Sequence, residues 1–280
     1  MTIGEILKVT EEYFKNKNLK NPRLDAEILL AEVLNTNRLN LYLQQDKPLK
    51  EFEIDKYREF VKLRAIHKPI QYIVGYTEFF GHKMLLNEKV LIPRPDTEIL
   101  VEKSIEIIKE NNLKRVLDIG FGSGCIILSI AEKFPSNQFV GIDISKDALD
   151  IANKNLEINK ISNVKLELCD IGNYTPEKKF DLIVSNPPYI SKQEFELLDK
   201  EVKDFEPKIA LTDDADGLKF YKMIIERAKD LLNKDGYLIF EISYNQFNEV
   251  ENLLNNANFK DIFALRDYNN HIRVIGGKIN

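Results

Sequence analysis

From Ile3 to about Ile73 the apolar side chains return every third or fourth residue: Ile3, Ile6 and Leu7, then Ala26, Leu29, Leu30, Val33 and Leu34, then Phe60, Val61, Leu63 and Ile66. That spacing gathers them on one side of a helix. Asn21-Pro22 and Lys47-Pro48 interrupt the stripes, since the residue before a proline is pushed out of helical backbone. The pattern predicts four or five short helices in a small bundle over residues 1–74. From Gly75 it changes to Tyr76-Thr77-Glu78-Phe79-Phe80-Gly81-His82-Lys83-Met84-Leu85-Leu86, which suits a β-hairpin linker over residues 75–92. Phe79 and Phe80 fit the core of that hairpin better than the wall of a site. Asp96 then precedes a helical stretch, Thr97 to Ile108, as its expected N-cap.

Beyond residue 115 strand-like and helix-like runs alternate: Val116 to Ile119, Ser123 to Phe134, Phe139 to Ile142, Lys146 to Asn159, Val164 to Leu168, and Leu182 to Ser185. Helical segments are expected at Lys192 to Lys203 and Gly217 to Leu232, then a strand at Gly236 to Ile242 and two more near Ile262 to Leu265 and Ile272 to Gly276. The alternation predicts a doubly wound α/β domain with seven strands. Its parallel strands are joined by crossover helices, and its ligands collect at the carboxyl ends of the strands.

Candidate chemistry falls at those ends. Asn186-Pro187-Pro188-Tyr189 closes the apolar run Phe180 to Ser185. Two consecutive prolines fix φ and carry no N–H, so the carbonyls of Asn186 and Pro187, with the Asn186 side-chain oxygen, form a stiff set of acceptors for a planar –NH2 group. The face of Tyr189 would lie across from them. The same four residues also suit a plain strand-ending loop. Upstream, Arg115 to Ile119 runs into Gly120-Phe121-Gly122-Ser123-Gly124, where alternate glycines let a ligand rest on bare backbone at a helix N-terminus. Twenty-three residues after Gly120, Asp143 ends a strand, where a carboxylate can accept both ribose hydroxyls of an adenosine. The spacing G-x-G-x-G, and Asp118 two residues before it, disfavour a pyrophosphate and favour a cationic adenosine cofactor, with S-adenosylmethionine the candidate. Asp118 can equally be a strand-end carboxylate tied to backbone. Asp170 and Ile171, after the third strand, stand where an adenine would lie, although Asp170 also reads as a turn cap.

Composition narrows the class. The 280 residues are 44% hydrophobic and 30% charged, far from the disordered range and long enough for two domains. Cys125 and Cys169 sit in or beside apolar runs, as reduced thiols do, and His67, His82 and His271 are scattered without ligand spacing, so no metal is expected. Nothing resembles a secretory signal or a membrane span, and a cytoplasmic location is expected. The net charge is −5, with 13 basic and 11 acidic groups in residues 1–75 and a balance of −7 in the rest. That argues against unaided binding to a long nucleic acid.

Taken together, Leu91-Ile92-Pro93-Arg94-Pro95-Asp96-Thr97-Glu98, the loop Asp118 to Gly124, Asp143, and Asn186 to Tyr189 resemble the PrmC/HemK family. So do Glu206 to Leu211, Asp216-Gly217-Leu218 and Glu241 to Gln246. The likeness runs from about residue 70 to the end. It implies a seven-stranded Rossmann-like methyltransferase domain over residues 93–280, preceded by the helical bundle and the hairpin linker. It also implies methyl transfer from S-adenosylmethionine to the side-chain amide nitrogen (N5) of a glutamine, that of the GGQ motif, in peptide-chain release factors. Carried over by position, Gly120, Phe121, Gly122, Ser123, Gly124, Asp143, Asp170, Ile171 and Asn186 would touch the cofactor. Asn186, Pro187, Pro188 and Tyr189 would hold the glutamine, with Asn186, Pro187 and Tyr189 catalytic, and the bundle would recognise the release factor. Phe121, Lys208 and Tyr244 depart from the family's usual residues. Arg94, stiffened between prolines, is expected to bind a carboxylate or a carbonyl near the cofactor, or to form a structural salt bridge. The competing reading is an adenine N6-methyltransferase acting on DNA or RNA, because an Asn-Pro-Pro-Tyr cup also accepts a flipped base.

Overall fold

The computed structural model describes residues 1–280, which divide into two compact units: Met1–Gly75 with Asp199–Phe205, and Tyr76–Leu198 with Glu206–Asn280. The first is the expected bundle, of five helices: α1 (Ile3–Asn16), α2 (Pro22–Val33), α3 (Arg38–Leu43), α4 (Glu51–Ala65) and α5 (Ile70–Val74). Local chemistry starts them. Thr2 and Glu5 form a reciprocal capping box at α1, and Pro22 opens α2, where its missing N–H costs nothing. Ile6, Leu7, Phe14, Leu29, Leu30 and Tyr57 make the buried centre.

Of the stripe expected on the fourth helix, Phe60 and Val61 pack against the bundle core, but its other half does not. Leu63 and Ile66 are exposed, whereas Tyr57, Arg64 and Ala65 are buried. A charged residue holds a core position because Arg64 meets Asp25 at 2.7 Å and Glu201 at 2.7 Å, so its guanidinium is paired where it is desolvated. Burial pushes the Asp25 carboxyl up, with Arg64 opposing. Glu201 comes from the returning segment 199–205 of this unit. The helix expected over Lys192 to Lys203 is accordingly two, α9 (Lys192–Glu196) and α10 (Lys200–Lys203), separated where Asp199 takes extended backbone.

The second unit begins with the hairpin β1 (Tyr76–Phe79) and β2 (His82–Leu85). Phe79 and Met84 are buried with α6 (Thr97–Asn111) and α7 (Cys125–Lys133), so the hairpin belongs to this unit's core. Neither Phe79 nor Phe80 lines the site described below. Seven strands form one sheet: β3 (Arg115–Ile119), β4 (Gln138–Asp143), β5 (Val164–Leu168), β6 (Phe180–Ser185), β7 (Leu232–Glu241), β8 (Phe259–Arg266) and β9 (Ile272–Ile279), in the order β5-β4-β3-β6-β7-β9-β8. The first five run parallel, and β9 is antiparallel to both neighbours. α8 (Lys146–Ile158), α11 (Lys219–Leu231) and α12 (Phe247–Asn256) complete the layers.

The chain winds outward from β3 to β5 and then returns to lay β6 on the other side of β3. Strand order therefore reverses between β3 and β6, and the crevice beyond their carboxyl ends is where such sheets take ligands. No helix is long and apolar enough to cross a membrane.

Candidate active site

A cavity enclosing about 1150 Å³, open mouth included, lies at this switch point. One wall is the turn after β3. Gly120, Gly122 and Gly124 have φ of +76°, +54° and +81°, a region other residues enter only under strain. A Cβ built on Gly120 or Gly122 meets nothing within 4 Å, so bare backbone faces open space. Phe121 is buried and lines the same wall. Its ring lies 3.0 Å from where a Cβ on Gly141 would be, so the small residue on β4 makes room for it. Asn155 of α8 braces the turn from behind, donating to the Ser123 carbonyl at 2.9 Å while exchanging hydrogen bonds with the Leu85 backbone.

Asp143 closes the next strand and lines the cavity beside the turn. Its Oδ2 accepts from the Gly122 N–H and its Oδ1 from the Ser145 N–H, both at 2.9 Å. Burial raises its carboxyl, and those N–H groups work the other way. Each oxygen keeps lone-pair capacity for a hydroxyl donor. Asp170 lines the far end with Cys169 and buried Ile171. Its Oδ1 caps the turn at the Gly172 N–H, at 2.6 Å, so the capping role weighed from sequence is realised within the cavity wall.

Asp118 does not line the cavity. It is fully buried with neither carboxylate oxygen hydrogen-bonded, and burial, reinforced by nearby Asp143, pushes it up to about 8. With its side chain enclosed inside the sheet layer and absent from the cavity wall, it departs from the sequence-based expectation of a charge presented to a cation.

Asn186, Pro187 and Pro188 also line the cavity, leaving β6 beside the glycine turn, since Ser185 pairs with Ile119. Asn186 Nδ2 donates to Thr97 Oγ1 at 3.4 Å. Tyr189 is turned toward the sheet: its hydroxyl donates to Glu241 Oε1 at 3.2 Å, and its ring packs on the core. Sequence reasoning had given this ring only the substrate face. The backbone beyond it is clamped, since Gln246 Nε2 donates to the Tyr189 carbonyl at 2.9 Å and to the Gly217 carbonyl at 3.3 Å. Asp213 in turn accepts from the N–H groups of Ala215, Gly217 and Lys219. The Asp216-Gly217-Leu218 and Glu241-to-Gln246 segments thus serve the cup by holding its exit strand.

Arg94 also lines the cavity and pairs with Glu206, a side chain only 1% exposed, so of its two expected roles the structural salt bridge is present. Lys208 pairs with Asp214 at the surface. Asp96 makes no side-chain cap on α6; it pairs with Arg273 instead. Cys125 is buried and Cys169 half-buried, both free thiols, and no cluster of His, Cys, Asp or Glu is arranged to hold a metal. Thr97, Glu241 and Gln246 were missed as site residues from sequence. Each stood inside a segment that carried the family likeness, but nothing local revealed which side chain faced the cup.

A family described as a methyltransferase domain matches residues 110–273, and one described as the PrmC N-terminal domain matches residues 5–75. The release factor glutamine methyltransferase of Fusobacterium nucleatum subsp. nucleatum is 44% identical over 276 residues, 98% of this chain and 78% of the relative. That of Geobacter sulfurreducens is 39% identical over 280 residues, 99% of this chain and 97% of the relative. Among solved structures, a methyltransferase from Pyrococcus furiosus matches with a TM-score of 0.53 at 20% identity, over 71% of this chain and 90% of its own, a likeness of fold alone.

Proposed function

The chain belongs to the release factor glutamine methyltransferase family, and from that premise we propose that it methylates the side-chain amide nitrogen (N5) of the GGQ-motif glutamine in peptide-chain release factors, using S-adenosylmethionine. The observation that carries the reading is the single cavity lined by a bare glycine turn, Asp143 and Asn186-Pro187-Pro188. When bound, S-adenosylmethionine supplies a methyl group on a sulfonium, open to direct in-line displacement by a nitrogen lone pair. Gly120, Phe121, Gly122 and Ser123 offer it backbone, Asp143 its hydroxyl acceptors, and Asp170 and Ile171 a ledge for a flat base, whereas Gly124, expected at the cofactor, does not line the cavity and packs toward Ala152 instead.

An amide nitrogen is a poor nucleophile because its lone pair is shared with the carbonyl. Asn186 Oδ1 and the Pro187 carbonyl, accepting its two N–H hydrogens, hold the nitrogen and bias that lone pair away from them, toward the methyl donor. Pro188 completes the holding surface, while Tyr189, turned to Glu241 and the core instead of the cavity, does not stack on the substrate as expected from sequence and acts by anchoring the segment. A proton leaves the nitrogen once it has become acidic by methylation, so no strong base is needed at the start. We assign recognition of the intact release factor to the helical bundle.

The test is incubation with labelled methyl donor and either release factor or total nucleic acid. Label in the release factor, on the glutamine nitrogen, is expected. Label in adenine would instead establish the nucleic-acid alternative. Recognition by the bundle predicts a much lower KM for the intact factor than for a short peptide bearing the same glutamine, with variants in residues 1–74 removing the difference.

A further inference from the structure

Behind the cup lies a buried polar chain for which the reaction as described has no use. Thr97 is 2% exposed and lines the cavity, and its Oγ1 receives the Asn186 side-chain N–H. The Thr97 hydroxyl makes no hydrogen bond to the Glu241 carboxylate in this structure, yet it favours the ionised form of that carboxylate. Glu241, at the end of β7, is 2% exposed; its Oε1 accepts the Tyr189 hydroxyl, while Oε2 is buried without a hydrogen bond. A buried carboxylate with an open acceptor is costly unless a donor is turned to it.

We propose that ionised Glu241 is a positioning residue that sets the sense of the Asn186 amide. A carboxylate only accepts. It therefore draws the Thr97 hydroxyl proton to itself, and the Thr97 oxygen is left as an acceptor, which only the Nδ2 end of Asn186 can satisfy. The Asn186 Oδ1 is then the end presented to the cavity, where the substrate amide needs an acceptor. Protonated Glu241 loses this directing power: its own proton can go to Thr97, Thr97 can donate to the Asn186 oxygen, and the amide can turn its N–H groups toward the substrate. The same carboxylate fixes the Tyr189 hydroxyl, so both ends of the Asn-Pro-Pro-Tyr segment are set from one group.

Burial raises the Glu241 carboxyl to about 7, against the opposing pull of Thr97 and Tyr189. The groups around it come from several elements. Asp96 before α6 disfavours the charge and Arg273 on β9 favours it. The Cys125 thiol on α7 and the Tyr221 hydroxyl on α11 also feel its charge, and Tyr221 donates to the Glu241 carbonyl at 2.9 Å.

This inference rests on the proposed function only for what Oδ1 binds; the orientation itself is read without substrate. In protein labelled with 15N, the Asn186 side-chain NH2 signals, identified by their loss in Asn186→Asp, should shift with a midpoint near pH 7. The shift should vanish in Glu241→Gln and Thr97→Val and persist in Thr97→Ser. On a methylatable release factor, Glu241→Gln should lower kcat roughly 10- to 100-fold, the range expected for losing a hydrogen bond to a charged group. It should leave the affinity for S-adenosylmethionine unchanged and abolish the acid limb of the kcat profile. If Glu241→Gln folds poorly, the wild-type titration and Thr97→Val carry the same test. Asn186 signals flat between about pH 5.5 and 8.5, or a Glu241→Gln enzyme with wild-type kcat and an unchanged acid limb, would overturn the proposal. Absence of label on any release factor would count against the function alone.

Discussion

At Asn186 the two ends of one side-chain amide have different neighbours: Nδ2 meets Thr97 and Oδ1 is left for the cavity. Asn186→Ala removes an acceptor whose value is highest when the substrate nitrogen begins to carry positive charge. Turnover should fall about 10²- to 10³-fold, the usual cost of one such transition-state contact, with cofactor affinity barely altered by calorimetry. Equal turnover would remove the role assigned to it. Gly217 tests the clamp behind the cup. At φ +78° an added Cβ would lie 2.3 Å from the Tyr189 carbonyl oxygen and 2.8 Å from Gln246 Nε2. Gly217→Ala should cost about 1–3 kcal/mol of stability from backbone strain and displacement, read by chemical denaturation, and should lower kcat by moving Tyr189. At this scale the sequence was legible where chemistry is local. Three glycines within five residues, or two prolines after a strand, announce their backbone directly. Thr97 and Glu241 were not legible, because the first is 89 residues from Asn186 and the second 52 from Tyr189. The pairing of β6 with β7 brings Glu241 to Tyr189, and the packing of α6 on those strands brings Thr97 to Asn186.

Among the elements, the apolar stripes expected on α1 and α2 lie in the bundle core, whereas that of α4 is only partly there. α4 is the instructive case. Its buried face runs through Tyr57, Arg64 and Ala65, but an arginine does not look like a core residue, so the stripe was drawn through Leu63 and Ile66. The partner that makes Arg64 tolerable, Glu201, arrives from 137 residues away, on a segment that looked like the end of one long helix. Asp199 gave the sole local sign of a break there, since aspartate favours the position that starts a new helix. The cluster yields its own prediction. Arg64→Met preserves much of the stem but leaves Asp25 desolvated without its guanidinium, which should cost about 3–5 kcal/mol, as for other buried pairs broken on one side. Hydrogen exchange should show the loss in α1, α2 and α4. Exchange unchanged there would mean that the stem, rather than the charge, is what the core uses.

For the molecule as a whole, strand order decided where the chemistry sits. Alternating runs were enough to give seven strands and a ligand edge, because parallel strands buried on both faces read as continuous apolar runs. They could not give the placement of β6 beside β3, which creates the crevice, nor show that β3 carries a carboxyl with no partner. Asp118 makes that last point measurable. A buried acid whose folded-state value is raised, here to about 8, binds its proton more tightly folded than unfolded. Its favourable contribution is therefore complete below about pH 4, where the unfolded chain is also protonated, and is lost as pH rises toward 8. Glu241, raised to about 7, acts in the same sense. Acids held low by partners, Glu11, Glu27 and Asp216 among them, have finished titrating below this window and cannot mask the trend. In the absence of cofactor the melting temperature should thus fall between about pH 5 and 8. Asp118→Asn, which keeps the shape but cannot ionise, should flatten much of the slope and melt higher than wild type at pH 8. Parallel melting curves for the two proteins would mean that water or a shifted backbone already satisfies Asp118, and that its proton is not held by burial.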